Sequence, residues 1–214
     1  HPECPERISA ILDHLRATGL DIALDFRDSP DVERAQLERA HASAYVAHIS
    51  DLMSQAESQG QARAVDPDTS VRPGTEDIVA SDDRILMCSF FQHPLYPYSG
   101  AVPKGTNMVN VPVDPYTRGP AVRELIEQQW IPALEQFKPE MVFISAGFDA
   151  HREDELGQMG LIEADYEWMT RRLMQLADTH AQGRIVSCLE GGYHLSALAR
   201  SVASHLRVLA GVAA

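Results

Sequence analysis

Four short apolar runs in the second part of the chain, separated by amphipathic segments, constrain the fold more than any other feature. Each run holds mostly apolar side chains, and the four runs are residues 85–90, 108–113, 141–145 and 184–189. Unbroken apolar strands of this length are typical of a parallel sheet that is buried on both faces. Helical spacing of apolar residues predicts helices over residues 122–137, 162–177 and 195–210. The alternation therefore predicts an α/β fold, a three-layer sandwich with a mainly parallel sheet and helices on both faces.

The first part of the chain is expected to be helical and to belong to the same domain. Apolar residues keep a helical period over residues 8–15, and Gly19 is expected to end that helix. Two further helices are predicted over residues 32–39 and 42–53. Residues 58–75 are polar and rich in glycine, proline and aspartate, which predicts a loop. We expect residues 1–214 to form a single domain, and the start at His1 without a methionine predicts that further residues precede it.

Composition excludes several classes of function. The chain has 18 Lys and Arg against 31 Asp and Glu, and this net charge of -13 disfavours direct binding to nucleic acid. It weakly favours a cationic partner. Three cysteines are too few for a disulfide framework, and their spacing fits no zinc finger. No apolar run reaches the roughly 20 residues of a membrane span, and no signal peptide opens the chain. We expect a cytoplasmic protein without membrane partners.

The loops after the third and fourth apolar runs carry groups that can do chemistry. Asp149 and His151 follow the third run, and Tyr193 follows the fourth; glycines stand beside both Asp149 and Tyr193. In open parallel sheets, sites form just beyond the carboxyl ends of the strands. Glycine lets the backbone turn sharply there. These side chains are therefore expected to converge at one edge of the sheet.

Each of these residues also has a structural interpretation. Asp149 fits a helix cap or the start of a turn, His151 a solvated loop residue, and Tyr193 a core ring. Cys88 and Cys188 lie inside apolar runs and are expected to be buried, inert thiols. The functional alternative is metal-dependent hydrolysis, with Asp149 as a ligand and Tyr193 as a donor to the developing oxyanion. The residues alone leave both interpretations open.

Several segments taken together resemble the histone deacetylase and acetylpolyamine amidohydrolase family, in its class II and bacterial branch. The segments run from the first residues nearly to the last helix, and they are residues 1–7, 40–46, 66–69, 145–152 and 190–193. The resemblance implies the arginase/deacetylase fold and one catalytic Zn²⁺. It also implies hydrolysis of the acetyl group of acetyl-lysine or acetylated polyamines.

Carried over position by position, the resemblance assigns roles to individual residues. Asp149 would be a zinc ligand, and Tyr193 would polarise the acetyl carbonyl. The substrate would contact Asp68 at the rim, Leu156 in the pocket, and Gly191 and Gly192 beside the acyl group. A structural K⁺ would bind Ser89 and the carbonyl of Phe90, and Leu95 or Tyr96 would line the gorge. This chain has Asp154-Glu155-Leu156-Gly157 where the family usually has Asp-Pro-Leu-Gly.

Two motifs that the family needs are absent from the sequence. The 214 residues contain neither a tandem His pair nor the Asp-x-His strand end that supplies the other two zinc ligands. The resemblance breaks at Gly74-Thr75, where several dozen residues with central strands are expected to be missing. Either the 214 residues belong to a longer active enzyme, or the chain is a non-catalytic remnant that binds acetylated ligands or partner chains. Loss of central strands would expose sheet edges, which favours pairing with another chain, including a second copy.

Overall fold

The structure is a computed structural model, and it describes residues 2–39, 41–59, 76, 79–95 and 98–212. The chain divides into two compact units. The larger unit holds residues 1–25 and 75–214, and the smaller unit holds residues 26–74. Asp68, Tyr96 and the Gly74-Thr75 junction lie outside the described residues. The expectation of a single domain stays a prediction.

Helix α1, Glu6–Thr18, opens the larger unit as the sequence predicts. Ile11 and Leu15, which are one turn apart on the same face, are buried. Gly19 ends the helix with a left-handed φ of 67°, and its N–H donates to the carbonyl of Arg16. Glycine adopts this conformation at low cost, which explains why the helix stops at Gly19.

The smaller unit contains two helices in its described part, α2 (Arg34–Leu37) and α3 (Ser43–Gln59). Both differ in length from the prediction. Helix α2 is a single turn, in which the Glu33 and Gln36 side chains each bond the other's backbone N–H. Helix α3 continues past residue 53, because the residues that follow are polar but include good helix formers such as alanine, glutamate and glutamine.

Four parallel strands of the larger unit confirm the predicted α/β fold. Strand β1 (Met87–Gln92) pairs with β2 (Met108–Val113), and β3 (Val142–Ala146) pairs with β4 (Ile185–Leu189). Both pairs are parallel, and the connection from β3 to β4 contains a long helix over residues 163–180, as is usual between parallel neighbours. In the described part of the chain the strands form two separate pairs rather than one continuous sheet.

The segment predicted as one helix between β2 and β3 is a helix with a π-helical middle. Helix α4 (Gly119–Leu125) passes into a π-helical turn at Ile126–Trp130 and then into α5 (Ile131–Phe137). Pro132 lies at the start of α5. Proline has no N–H to continue the regular i to i−4 bonding, so the change of register before it accommodates the missing donor.

Two long helices complete the larger unit, α6 (Glu163–His180) and α7 (Leu195–Leu209). Helix α7 packs against both α1 and α6. The core beneath them is built from large apolar side chains, among them Leu15, Val122, Ile126, Leu161 and Leu198. Burial of such side chains supplies most of the driving force for this packing. Among the described residues no helix is long and apolar enough to cross a membrane.

The β3–β4 pair has one covered and one open face. Val142 and Ala146 point to the covered face and are buried. Phe143 points to the other face and is 71% exposed, and its partner Val186 is exposed as well. Cys188 lies on the same open face, so the expectation that it is a buried thiol is wrong. A side chain inside an apolar run is buried only where another element covers its face of the sheet.

A polar cluster of three side chains lies within the covered side of the fold. His205 on α7 is within hydrogen-bonding distance of two hydroxyls, 2.7 Å from Thr170 Oγ1 and 2.9 Å from Ser187 Oγ. The Thr170 hydroxyl donates to the carbonyl of Tyr166 at 2.7 Å, so it accepts from His205 Nδ1. Burial lowers the pKa of His205 from 6.5 to about 4, and its imidazole is therefore neutral at pH 7.

Candidate active site

The loops that follow β3 and β4 lie side by side at the carboxyl ends of these strands. The N–H of Glu190 donates to the carbonyl of Ala146, and the N–H of Phe148 donates to that of Gly191, each at 2.9 Å. These bonds extend the pairing of the two strands into their loops. Asp149 and Tyr193 stand on these loops, so the structure brings together the two residues that the sequence singled out.

Asp149 lies in a cradle of glycine backbone. A Cβ atom on Gly191 would stand 2.5 Å from Asp149 Oδ2, and one on Gly147 would stand 3.0 Å from Oδ1. Both positions must therefore lack a side chain for the carboxylate to stay in place. Asp149 forms no ion pair with any described residue. Burial, together with the charge of Asp154, raises the pKa of the Asp149 carboxyl above its usual range.

The helix-cap interpretation of Asp149 is wrong. Residues 149 and 150 form a turn, and the next helix, α6, begins only at Glu163. A buried carboxylate without a cationic partner is costly to keep ionised. A cation bound to this carboxylate would offset that cost, and the role of Asp149 as a zinc ligand stays a prediction.

Tyr193 is half-buried, with its ring against the guanidinium of Arg7 at 5.2 Å. Burial and the neighbouring carboxylates of Asp149 and Glu3 raise the pKa of Tyr193 to about 12. The phenol therefore keeps its proton throughout the physiological range. A protonated hydroxyl is a hydrogen-bond donor, which is the property that the predicted oxyanion role requires.

Arg7 is a buried residue of this site that the sequence did not single out. Its guanidinium donates to the carbonyl of Gly192 at 2.7 Å and to that of Glu190 at 2.5 Å. A third bond, at 2.6 Å, reaches the carboxylate of Glu3. Arg7 thus fastens the first helix to the loop that carries Tyr193. Its place in the residue 1–7 motif was the one available clue, because no local pattern indicates a partner 185 positions away.

Asp154 is the second residue that the sequence did not assign. Its Oδ2 accepts from the N–H of Tyr193 at 2.7 Å and from that of His194 at 3.2 Å. Its Oδ1 accepts from the N–H of Leu156 at 3.0 Å. Asp154 therefore holds the loop after β3 against the loop after β4.

A cavity of about 500 Å³ opens beside Tyr193. Leu156 and Leu195 give it apolar walls, Glu155 and His194 add polar groups, and Pro2 closes another side. Leu156 lines this cavity and is half exposed, and its role as a residue of the substrate pocket stays a prediction. Gly191 lies against Asp149, and Gly192, with φ 121°, is packed against Leu198 and Phe148. The acyl-pocket role of the two glycines stays a prediction.

His151 is not a solvated loop residue, because its side chain is only 1% exposed. Its Nδ1 accepts from the N–H of Glu153 at 3.1 Å, so this nitrogen carries no proton. Its Nε2 lies 3.5 Å from a carboxylate oxygen of Glu163. Both ring nitrogens are thus directed to the loop and to α6.

The described residues do not provide a complete zinc site. No group of three or more His, Cys, Asp or Glu side chains among them could hold a metal ion. Asp149 is available as one ligand, whereas the carboxylate oxygens of Asp154 already accept hydrogen bonds from three backbone N–H groups. Catalytic zinc needs three protein ligands, so the donor set in this part of the chain does not fit it. Ser89 and Phe90 lie within β1, and their proposed K⁺ role stays a prediction.

Comparison with known proteins gives consistent results. The family model "Histone deacetylase domain" matches residues 1–75 and 61–209. The chain is 41% identical over 139 residues to an uncharacterized protein of Synechocystis sp.; this match covers 64% of the chain and 44% of that protein. It is 38% identical over 126 residues to a probable deacetylase of Archaeoglobus fulgidus, covering 56% and 35%. It is 35% identical over 127 residues to a histone deacetylase-like amidohydrolase of Pseudomonas aeruginosa, covering 56% and 33%.

A solved structure supports the fold. The crystal structure of the HDA15 HD domain superposes with a TM-score of 0.80 at 22% identity, covering 99% of this chain and 83% of that one. The matched region spans less than half the length of each curated relative named above.

Proposed function

Because this chain belongs to the histone deacetylase family, we propose that the complete protein is a deacetylase that hydrolyses the acetyl amide of acetyl-lysine or an acetylated polyamine. The observation that carries the proposal is the pair formed by Asp149 and Tyr193. A buried carboxylate without an ion-pair partner lies on the loop next to a tyrosine whose hydroxyl keeps its proton. Amide hydrolysis needs a donor for the developing oxyanion, and this hydroxyl is suited to that role.

The residues of this chain have distinct tasks in the proposed reaction. Tyr193 donates a hydrogen bond to the acyl oxygen as that oxygen gains negative charge. Arg7 and Asp154 hold the Tyr193 loop from two sides, so little reorganisation is needed when substrate arrives. The cavity beside Tyr193, with Leu156 in its wall, receives the apolar part of the substrate.

Zinc is the metal that we propose for the complete protein, with Asp149 as one of its ligands. The other ligands and the general base are proposed to come from a segment inserted at Gly74-Thr75. The family model supports this view because it matches the chain in two parts that meet around residues 61–75. On this proposal the 214 residues alone do not turn over substrate.

The negative charge of the chain supports a cationic substrate such as a polyamine. The same charge supports the proposal that the protein does not bind nucleic acid directly. A cytoplasmic location and a homo-oligomeric state are proposed on the sequence alone.

The test compares the 214-residue chain with a form that carries the continuous sequence across the junction. We expect acetyl-lysine peptide and acetylated putrescine to be hydrolysed by the longer form, with one zinc per chain. The 214-residue chain should remain at background even with added zinc. Absence of turnover by a folded, zinc-loaded longer form would refute the deacetylase proposal. Binding of acetylated peptide by that form without turnover would favour the alternative of a non-catalytic binding protein.

A further inference from the structure

We propose that Asp154 is a positioning residue for Tyr193, and that its carboxylate fixes the backbone of Tyr193 relative to the loop that carries Asp149. This inference rests on the proposed role of Tyr193 in deacetylation. Asp154 is given no direct role in the reaction, and its proposed effect on catalysis is exerted through the position of Tyr193.

The contacts of Asp154 converge on the two loops of the candidate site. Asp154 is 8% exposed. Its carboxylate accepts three hydrogen bonds, from the backbone N–H groups of Tyr193, His194 and Leu156. The shortest of them, at 2.7 Å, comes from Tyr193 itself. Asp154 and Asp149 lie on the same loop, the one after β3. The bonds from Asp154 to the loop after β4 therefore help to fix the distance between Asp149 and Tyr193.

The choice of aspartate at this position has a chemical reason. Asp154 forms no ion pair with any described residue, and its hydrogen bonds come from backbone N–H groups. A carboxylate has two acceptor oxygens and no donor, and it can therefore serve three N–H groups at once. An asparagine would turn an NH₂ group toward one set of these donors. If that NH₂ group faces Tyr193 and His194, both of their bonds are lost; in the other orientation a neutral oxygen replaces the charged acceptor and weakens both bonds.

Asp154 and Arg7 act on opposite polar groups of the same loop. Arg7 binds the carbonyls of Glu190 and Gly192, whereas Asp154 binds the N–H groups of the next two residues. His194 is also the N-cap of α7, and its Nδ1 accepts from the N–H of Ala197 at 3.2 Å. The loop is thus fixed at the point where it becomes a helix. Rigid placement of this kind matters because small displacements of catalytic groups cost large factors in rate.

Amide hydrogen exchange of the full 214-residue chain, followed by NMR, tests the inference. In Asp154→Asn we expect the Tyr193 and His194 amides to exchange on the order of 10- to 100-fold faster relative to core amides of α7, as expected for loss of a bond to a charged acceptor. The ring resonance of Tyr193, labelled with 3-fluorotyrosine and assigned by Tyr193→Phe, should shift or broaden.

Asp165→Asn is the matched control. Asp165 is 5% exposed, accepts the N–H of Ile162 at 3.0 Å and binds Arg123 at 2.7 Å, away from the Tyr193 loop. We expect this variant to lose stability without a selective change at Tyr193. A specific loss of protection at Tyr193 in Asp154→Asn alone supports the inference. Unchanged relative exchange at Tyr193, or an equal change in Asp165→Asn, overturns it.

A measurement on the unmodified chain covers the case in which Asp154→Asn does not fold. The Tyr193 amide of the parent chain should then be protected at least about 100-fold over an unstructured peptide, and unprotected exchange overturns the inference. None of these readouts requires substrate, metal or turnover. Failure of the deacetylase proposal and failure of the Asp154 inference are therefore observed in separate experiments.

Discussion

Replacement of Arg7 by methionine tests whether the first helix holds the Tyr193 loop. Methionine keeps an unbranched apolar stem and removes the guanidinium. The variant loses bonds to the carbonyls of Gly192 and Glu190, at 2.7 and 2.5 Å, and the ion pair with Glu3. Bonds to a charged group contribute about 1.5–3 kcal/mol each, and the two to the carbonyls therefore contribute about 3–6 kcal/mol before desolvation. Because a buried charge is also costly to desolvate, its removal offsets part of this loss, and the free energy of unfolding should fall by about 2–4 kcal/mol.

The assay is thermal and urea unfolding of the chain, with Arg16→Met as the control. Arg16 is on the same helix, its side chain is 64% exposed, and its pair with Asp13 at 3.3 Å is a surface contact. We expect Arg16→Met to change stability by less than about 0.5 kcal/mol. For a chain of this size the loss in Arg7→Met corresponds to a fall in Tm of about 5–15 °C. Equal Tm values for the two variants would refute the view that Arg7 fastens α1 to the loop.

Three further predictions concern individual side chains. In the longer, zinc-containing form, Tyr193→Phe should lower kcat by about 10²–10³-fold at unchanged Tm, and a fall in Tm with normal kcat would make Tyr193 structural. In the metal-free chain, Asp149→Asn should raise Tm at pH 7, because burial raises the pKa of this carboxyl and disfavours its charged form. Asp13→Asn is the exposed control. A lower Tm for Asp149→Asn would contradict the reasoning. The pKa of His205 is lowered from 6.5 to about 4, so the neutral imidazole contributes fully to stability above pH 6.5. As the pH falls toward 4 this contribution is lost, and the free energy of unfolding should fall by roughly 3 kcal/mol. Urea unfolding of His205→Gln should lack this pH dependence, whereas His14→Gln should keep it, and identical slopes for both would exclude His205 as the titrating group.

The elements of the larger unit could be predicted because their signals are local. Apolar runs and helical spacing gave all four strands and the helices around them to within a few residues. Gly19 marked the end of α1, since only a residue that tolerates positive φ ends a helix in this way. The π-helical turn before Pro132 was not predicted, because the sequence shows only that proline lacks a donor and not how the helix adapts.

Burial could not be predicted from the apolar character of a strand alone. Phe143 and Cys188 lie in apolar runs, yet both are exposed, because no described element covers their side of the β3–β4 pair. The convergence of Asp149 and Tyr193 followed from strand direction, which parallel topology determines. The bonds of Asp154 and Arg7 to the Tyr193 loop depend on contacts far apart in the sequence, and no local pattern indicates them.

The bond between Arg7 and Gly192 spans 185 positions and so has a consequence for synthesis on the ribosome. At about 5–20 residues per second, these 185 positions alone correspond to roughly 10–40 s between the translation of the two residues, and the segment proposed at Gly74-Thr75 would lengthen this interval. Throughout this interval α1 has no α7 to pack against, and the apolar side chains of Ile11 and Leu15 are without their final neighbours. Nascent chains should therefore depend on chaperones over this interval, and the candidate site can form only after Gly192 and Tyr193 have been translated.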